Sequence, residues 1–351
     1  SQGFPDFDPP PALLEALARQ ARDGNHQYAP MAGLPALREQ IAAQLRRWRA
    51  VDCEPNTEIT VVPGATEGIF CAIMACVHPG DEVLVFDPCY DSYEPSIWLA
   101  GGRAVHVPLS VGSFDIDWEA AAAAVTARTR LVIVNSPHNP TGSRLSRQDL
   151  GALEALAERH NLLVVSDEVY EHLVFDGGEH YSVLQSSILR PRSIAVFSFG
   201  KTFSVTGWKT GYCVAAEPLT TELRKVHQFV SFVAVTPVQA ALAEFMAAEP
   251  DYPATLAGFY QAKRDLFCAG LAGSRFSVAP SAGTYFQLLN YSDISREEDV
   301  VLAEDWTKRH GIASIPISVF YARPPDQHYL RFCFAKRDEV LVEAAEILCR
   351  I

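Results

Sequence analysis

Five short apolar runs, each followed by residues able to do chemistry, constrain this chain more than any other feature. They lie at 59–62, 82–86, 131–135, 162–166 and 194–198. Each has the length and composition of a strand buried on both faces, as in parallel sheets. Helical patterns at 65–77, 118–125 and 147–160 lie between them. That alternation predicts βαβ units and an α/β fold with a mainly parallel central sheet. Ligands of such sheets bind in the crevice beyond the carboxyl ends of the strands. Gly64, Ala65 and Thr66 follow the first run, Tyr90 the second, Asn139 the third, Asp167 the fourth and Lys201 the fifth. These residues are expected to converge on one crevice.

The stretch Ser-Phe-Gly-Lys-Thr-Phe-Ser-Val-Thr-Gly-Trp-Lys, 198–209, sets one lysine directly behind a strand and a second eight positions on. Alone it also admits the reading of a surface turn; its companions argue for a site. A lysine, an aspartate, an asparagine, two tyrosines and a helix N-terminus form the set that pyridoxal phosphate requires. Lys201 would bind the cofactor's aldehyde through its amine and later move the substrate's α-proton. Asp167 would keep the ring nitrogen protonated, so that the ring acts as an electron sink. Asn139 and Tyr170 would hydrogen-bond the phenolic oxygen, and Tyr90 would stack on the ring. The phosphate would sit behind Gly64 on the N–H groups of Ala65 and Thr66, where a helix dipole favours an anion. Ser198 and Lys209 would complete that cradle.

The rest of the chain reads more coarsely. An extended arm (1–11) precedes helices at 12–22 and 35–49. A strand is expected at 212–216, then a long helical region at 218–246 with a break at Pro237, and a helix at 252–271. The remainder changes pattern at 283–289 and carries a strand at 329–334 with helices at 300–310 and 339–351. The reading divides the chain into an arm and small-domain segment (1–25), a large cofactor-binding domain (26–245) and a small α+β domain (246–351). With 48% hydrophobic residues over 351 positions, the chain can bury a large core. A formal charge of −13 argues against nucleic acid and anionic membranes. No apolar run is long enough to span a bilayer. No secretory signal is legible in a sequence that opens at Ser1 rather than methionine. The eight cysteines form no C-x-x-C pair or zinc spacing, which suits small core residues in a reducing cytoplasm. No metal is expected.

Asn-Pro-Thr-Gly (139–142), Ser-Asp-Glu-Val-Tyr (166–170) and Ser-Phe-Gly-Lys (198–201) occur here in an order and spacing that resembles the fold-type-I, class I/II aminotransferases. Segments 1–7, 26–31, 167–173, 316–320 and 330–336 make the chain most similar to the bacterial methionine aminotransferases within that family. Kynurenine and glutamine aminotransferases are more distant. The resemblance implies a fold-type-I transferase and Arg331 as receiver of the substrate α-carboxylate. A planar guanidinium suits that task through two parallel hydrogen bonds, and the alternative for Arg331 is a structural ion pair. The resemblance adds Asn135 and Gly3 as carboxylate contacts. It implies a homodimer in which Tyr28 reaches the neighbouring subunit's phosphate and Phe232 walls its pocket. Val233 stands where some kynurenine-type relatives place histidine, and Lys209 where many relatives have arginine. Phe286 reads equally as pocket wall and as core.

The implied activity is transfer of an amino group from an apolar or aromatic amino acid, methionine foremost, to a 2-oxo acid with ping-pong kinetics. A lyase acting on cysteine S-conjugates shares every cofactor residue, and a kynurenine- or glutamine-type transaminase shares them too. A regulatory protein on the same fold is disfavoured, because Lys201 and Asp167 are both present.

Overall fold

Strands form here where apolar runs can be covered on both faces. The computed structural model describes residues 3–351, so Ser1 and Gln2 of the arm and of segment 1–7 lie outside the described residues. After the arm come α1 (Pro11–Arg22), α2 (Pro35–Arg49), β1 (Ile59–Val62), α3 (Ala65–Cys76) and β2 (Glu82–Asp87). Next are α4 (Tyr93–Leu99), β3 (Arg103–Pro108), α5 (Trp118–Ala124), β4 (Thr129–Asn135), α6 (Arg147–His160) and β5 (Leu163–Asp167). β6 (Ser193–Ser198), the short α7 (Phe199–Thr202) and β7 (Gly211–Ala215) complete a seven-stranded sheet of order β1-β7-β6-β5-β4-β2-β3.

Only β7 runs against its neighbours. The five expected strands therefore all end at the same edge of the sheet. β1, β2 and β7 are buried throughout, and β4, β5 and β6 nearly so. Apolar clusters cover the two faces of the sheet. β3 and α4 were not expected from the sequence. β3 is one of the two edge strands, exposed at Arg103 and Pro108 where β1 at the other edge is covered, and a half-exposed edge lacks the continuous apolar run that marks its neighbours.

Local signals set the boundaries. Pro35 starts α2, where its missing N–H costs nothing. Ser146 and Asp149 form a reciprocal capping box on α6, whose last turn closes on Asn161 in the left-handed region. The expected helical region at 218–246 is two helices, α8 (Glu217–Val230) and α9 (Thr236–Ala248). The chain breaks upstream of Pro237, at residues 231–235, and Pro237 sits in the first turn of α9. Phe232 turns the break with a φ of 67°.

The C-terminal part holds α10 (Pro253–Gly270), β8 (Ser277–Val278), β9 (Phe286–Asn290), α11 (Asp299–His310), β10 (Ile315–Pro316), β11 (Tyr329–Cys333) and α12 (Asp338–Leu348). Its four strands form an antiparallel sheet, β10-β11-β9-β8, with its own aromatic-rich core. The arm and α1 part company. Asp6 bonds Ala335 and Arg337 beside the small sheet, whereas Leu13 and Ala16 of α1 join the large sheet's core.

Candidate active site

The sheet's registers bring the candidate residues together. Asn135, the last residue of β4, pairs with Asp167, the last of β5. Gly211 of β7 pairs with Val62 on one side and Ser198 on the other. A Cβ at Gly211 would stand 2.4 Å from the Phe197 carbonyl oxygen and 3.1 Å from the Ala65 nitrogen. Only glycine lets the start of α3 approach the end of β6 so closely. From the other side, β11 carries Arg331 between Leu288 of β9 and Ile315 of β10.

The result is a cleft of about 770 Å³ between the two sheets. Gly3, Gly64, Ala65, Thr66, Tyr90, Asn135, Asn139, Asp167, Tyr170, Ser198, Lys201, Lys209, Phe286 and Arg331 all line it. Tyr28 and Phe232 do not. They stand together at the surface, edge to face with ring centroids 5.4 Å apart.

Lys201 lies in the short helix that follows β6. Burial lowers its pKa to about 8, with Lys209 and Arg331 pressing the same way and Cys333 and Asp167 opposing. Its Nζ donates to the Tyr285 hydroxyl at 2.6 Å. Asp167 is raised to about 6, again chiefly by burial. The Tyr93 hydroxyl opposes that shift by donating to Asp167 Oδ2 at 2.6 Å, and the Val169 N–H reaches Oδ1 at 3.3 Å. Tyr170 is buried, its phenol pushed up by desolvation.

Arg331 has no carboxylate partner among the described residues. Its guanidinium donates to Asn139 Oδ1 at 2.6 Å and lies 4.0 Å from the Phe286 ring centroid and 5.1 Å from that of Phe320. Desolvation lowers its pKa. The structural ion pair weighed for Arg331 is therefore absent among the described residues, and its remaining N–H groups are left for an anion in the cleft. Phe286 serves both of its readings, since it is 2% exposed in the small core yet forms the floor under the guanidinium.

Asn135 lines the cleft and also holds two bonds within the protein. Its amide donates to the Asp167 carbonyl at 2.8 Å, and its oxygen accepts the Asn139 N–H at 2.8 Å. It braces the loop that presents Asn139. With Asn139 Oδ1 committed to Arg331, its amide nitrogen is left to meet an acceptor in the cleft. Gly3 also has a partner, because its carbonyl accepts from Tyr285 Oη at 3.2 Å. His138 is a local hydrogen-bonding residue, Nδ1 to Thr141 Oγ1 at 2.7 Å, and burial lowers its pKa to about 4.

The donor set fits pyridoxal phosphate. Gly64, at a φ of 86°, opens α3, and a Cβ there would meet Lys209 Cε and Nζ at 3.3 Å each. That leaves a cradle of free N–H groups, a serine and a lysine for a phosphate. A buried carboxylate suits a ring nitrogen, and a lysine of lowered pKa suits an aldehyde.

Tyr93, Tyr285 and Phe320 were missed as site residues. Tyr93 opens α4 three positions after Tyr90 and packs edge to face against it at 5.7 Å. Tyr285 and Phe320 lie in segments 283–289 and 316–320, marked by a change of pattern and by a resemblance but by no chemical signal.

The family model "Aminotransferase class I and II" matches residues 1–348. A methionine aminotransferase of Escherichia coli K12 is 47% identical over 99% of this chain and 90% of its own length. The solved structure of YbdL from Escherichia coli, identified with a methionine aminotransferase function, superposes with a TM-score of 0.98 at 47% identity, covering 100% of this chain and 93% of that one. N-succinyldiaminopimelate aminotransferase from Mycobacterium tuberculosis gives 0.96 at 40%, covering 100% and 92%. Kynurenine–oxoglutarate transaminase 1 of Rattus norvegicus is 32% identical over 98% of this chain and 89% of its own. The chain thus belongs to the class I and II aminotransferases, pyridoxal-phosphate-dependent enzymes of the fold-type-I architecture.

Proposed function

We propose that this aminotransferase takes its amino group from methionine, or from another amino acid with a long apolar or aromatic side chain, and delivers it to a 2-oxo acid. The single observation that carries the reading is the unpaired Arg331 guanidinium in the same cleft as a lysine of lowered pKa. The apolar lining of Phe286, Phe320, Ile315, Val319 and Tyr90 favours a side chain without charge. The likeness to methionine aminotransferases points the same way.

Bound pyridoxal phosphate supplies the electron sink that makes an α-proton removable. Its phosphate would rest on Ala65, Thr66, Ser198 and Lys209, its ring nitrogen against Asp167, its phenolic oxygen between Asn139 and Tyr170, and its face against Tyr90. Arg331 grips the substrate carboxylate and thereby fixes how Cα is presented. Lys201 takes the proton from Cα, as an amine titrating near neutrality can. The apolar walls exclude water from that transfer.

Tyr28 and Phe232, with the exposed Phe229, Val230 and Val235, form an apolar surface suited to a second copy of the chain, so that a homodimer shares its active sites. No described helix is long and apolar enough to cross a membrane, and the cytoplasm is the proposed compartment. The test is the visible spectrum of purified protein given L-methionine without an oxo acid. Loss of the cofactor band, restored by a 2-oxo acid, is expected. Bleaching by kynurenine or glutamine instead would overturn the donor assignment, and pyruvate and ammonia released from a cysteine S-conjugate would mark the lyase.

A further inference from the structure

We propose that Tyr285 is a positioning residue for Lys201, with the Gly3 carbonyl of the N-terminal arm setting the direction of its hydroxyl. The inference rests on reading Lys201 as the proton carrier. Tyr285 is fully buried in the small core, edge-on to Tyr170 with centroids 5.1 Å apart and to Phe286 at 4.8 Å. Its oxygen accepts from Lys201 Nζ at 2.6 Å and its hydroxyl donates to the Gly3 carbonyl at 3.2 Å, with the Tyr170 phenol as a further hydrogen-bonding neighbour.

A carbonyl oxygen only accepts, so the contact with Gly3 uses the phenolic proton, and any contact with Tyr170 leaves the tyrosine oxygen's remaining lone pair free. The tyrosine oxygen must then accept from Lys201. That sense matters for chemistry. Were the phenol to donate to Nζ, it would occupy the nitrogen lone pair and block the base. With an N–H of the lysine given to Tyr285, the lone pair of the neutral amine is left for the cleft, where a substrate Cα–H is presented. The arm therefore reaches the reacting nitrogen through one hydroxyl.

Gly3 is built for this. Its φ is 66°, and a Cβ would fall 2.5 Å from Phe286 Cε1, so the carbonyl reaches Tyr285 only because no side chain stands there. Asp6 ties the arm down through Ala335 and Arg337, and Phe4 does so through its carbonyl, which accepts from Lys336 Nζ at 2.8 Å.

The test uses Tyr285→Phe, which keeps the ring and its packing. In holoenzyme, the cofactor's visible band is expected to persist, kcat with L-methionine to fall tenfold to a hundredfold, KM to change less than about twofold, and the isotope effect from Cα-deuterated methionine to rise. In apoenzyme, the pH dependence of Lys201 acylation by an amine-directed reagent reports the same contact without turnover. The ammonium loses an acceptor, so its titration shifts to lower pH, while Asp167, Lys209, Arg331, Cys333 and Tyr170 still face it. Gly3→Ala should lower kcat in the wild-type background and add little on top of Tyr285→Phe, because both remove one contact. Unchanged kcat and unchanged Lys201 titration in Tyr285→Phe would overturn the proposal, as would strict additivity of the two substitutions. Failure of the underlying reading is separate: Lys201→Ala that still turns over removes the proton carrier whatever Tyr285 does.

Discussion

At the residue scale, Lys201 illustrates how a site stores its reactivity as a local loss of stability. Burial holds its folded pKa near 8, against 10.5 for an ordinary lysine. Between those values the unfolded chain binds more protons than the folded one, so the apoprotein's stability rises with pH from about 8 to about 10.5 and lies at its low plateau below 8. A shift of this size corresponds to about 3 kcal/mol. Lys201→Met apoprotein is therefore expected to unfold later in urea than wild-type apoprotein near about pH 7, with the advantage shrinking near about pH 10. Equal stability of the two apoproteins at the lower pH would show that the amine is not strained. Asp167 shows the mirrored case, with a carboxyl raised to about 6 and Tyr93 holding back the shift.

At the scale of elements, the sheet's two edges do different work. The carboxyl ends of the strands carry the site, and the opposite end is clasped by Glu82. This carboxylate at the start of β2 accepts from Arg103 of β3 at 2.7 Å, from Arg128 at 2.7 Å and from Thr126 at 2.6 Å, both just before β4. Led by the Thr126 hydrogen bond, these partners hold its pKa down to about 2. A depressed folded pKa gives stability that is present above the usual glutamate range and is lost as pH falls toward about 2. Glu82→Gln is expected to cost about 1–3 kcal/mol at neutral pH, since two arginines lose their partner. Turnover per folded molecule should stay unchanged, as read by denaturant titration beside a kcat measurement.

The same elements show what a sequence reveals. Runs such as 59–62 and 131–135 are legible as strands because burial on both faces demands unbroken apolar residues. The residues at their ends are legible because a parallel sheet gathers its strand ends. β3 is not legible, since Arg103, His106 and Pro108 interrupt its pattern at a half-wet edge. The two-residue strands β8 and β10 are too short to carry a period. Asn135 was read as a substrate contact because its position at a strand's end is visible, whereas its bond to the Asp167 carbonyl depends on the register between two strands. Tyr285 reaches Lys201 across 84 residues of sequence, a meeting that no local pattern announces.

At the scale of the whole molecule, Tyr28, Phe229 and Phe232 leave an aromatic surface that a monomer would expose to water. Phe229→Asp is expected to weaken self-association at least tenfold, seen in sedimentation velocity, and to release the cofactor on dilution if Tyr28 closes the partner's phosphate site. A dimer unaffected by that charge would place the interface elsewhere. The molecule carries a formal charge of −13, yet its cleft gathers Lys201, Lys209 and Arg331 around one buried aspartate. Arg331 faces that cleft with no carboxylate bonded to it among the described residues. Such a cation behaves as a receptor for any small anion in the medium, so the enzyme carries a built-in sensitivity to its ionic surroundings. Formate, which offers two oxygens to the guanidinium fork, should raise KM for methionine several-fold while leaving kcat unchanged, and should do so at ionic strengths where chloride has less effect. Equal effects of the two salts would mean simple screening; the difference between them measures how far the fork itself chooses its guests.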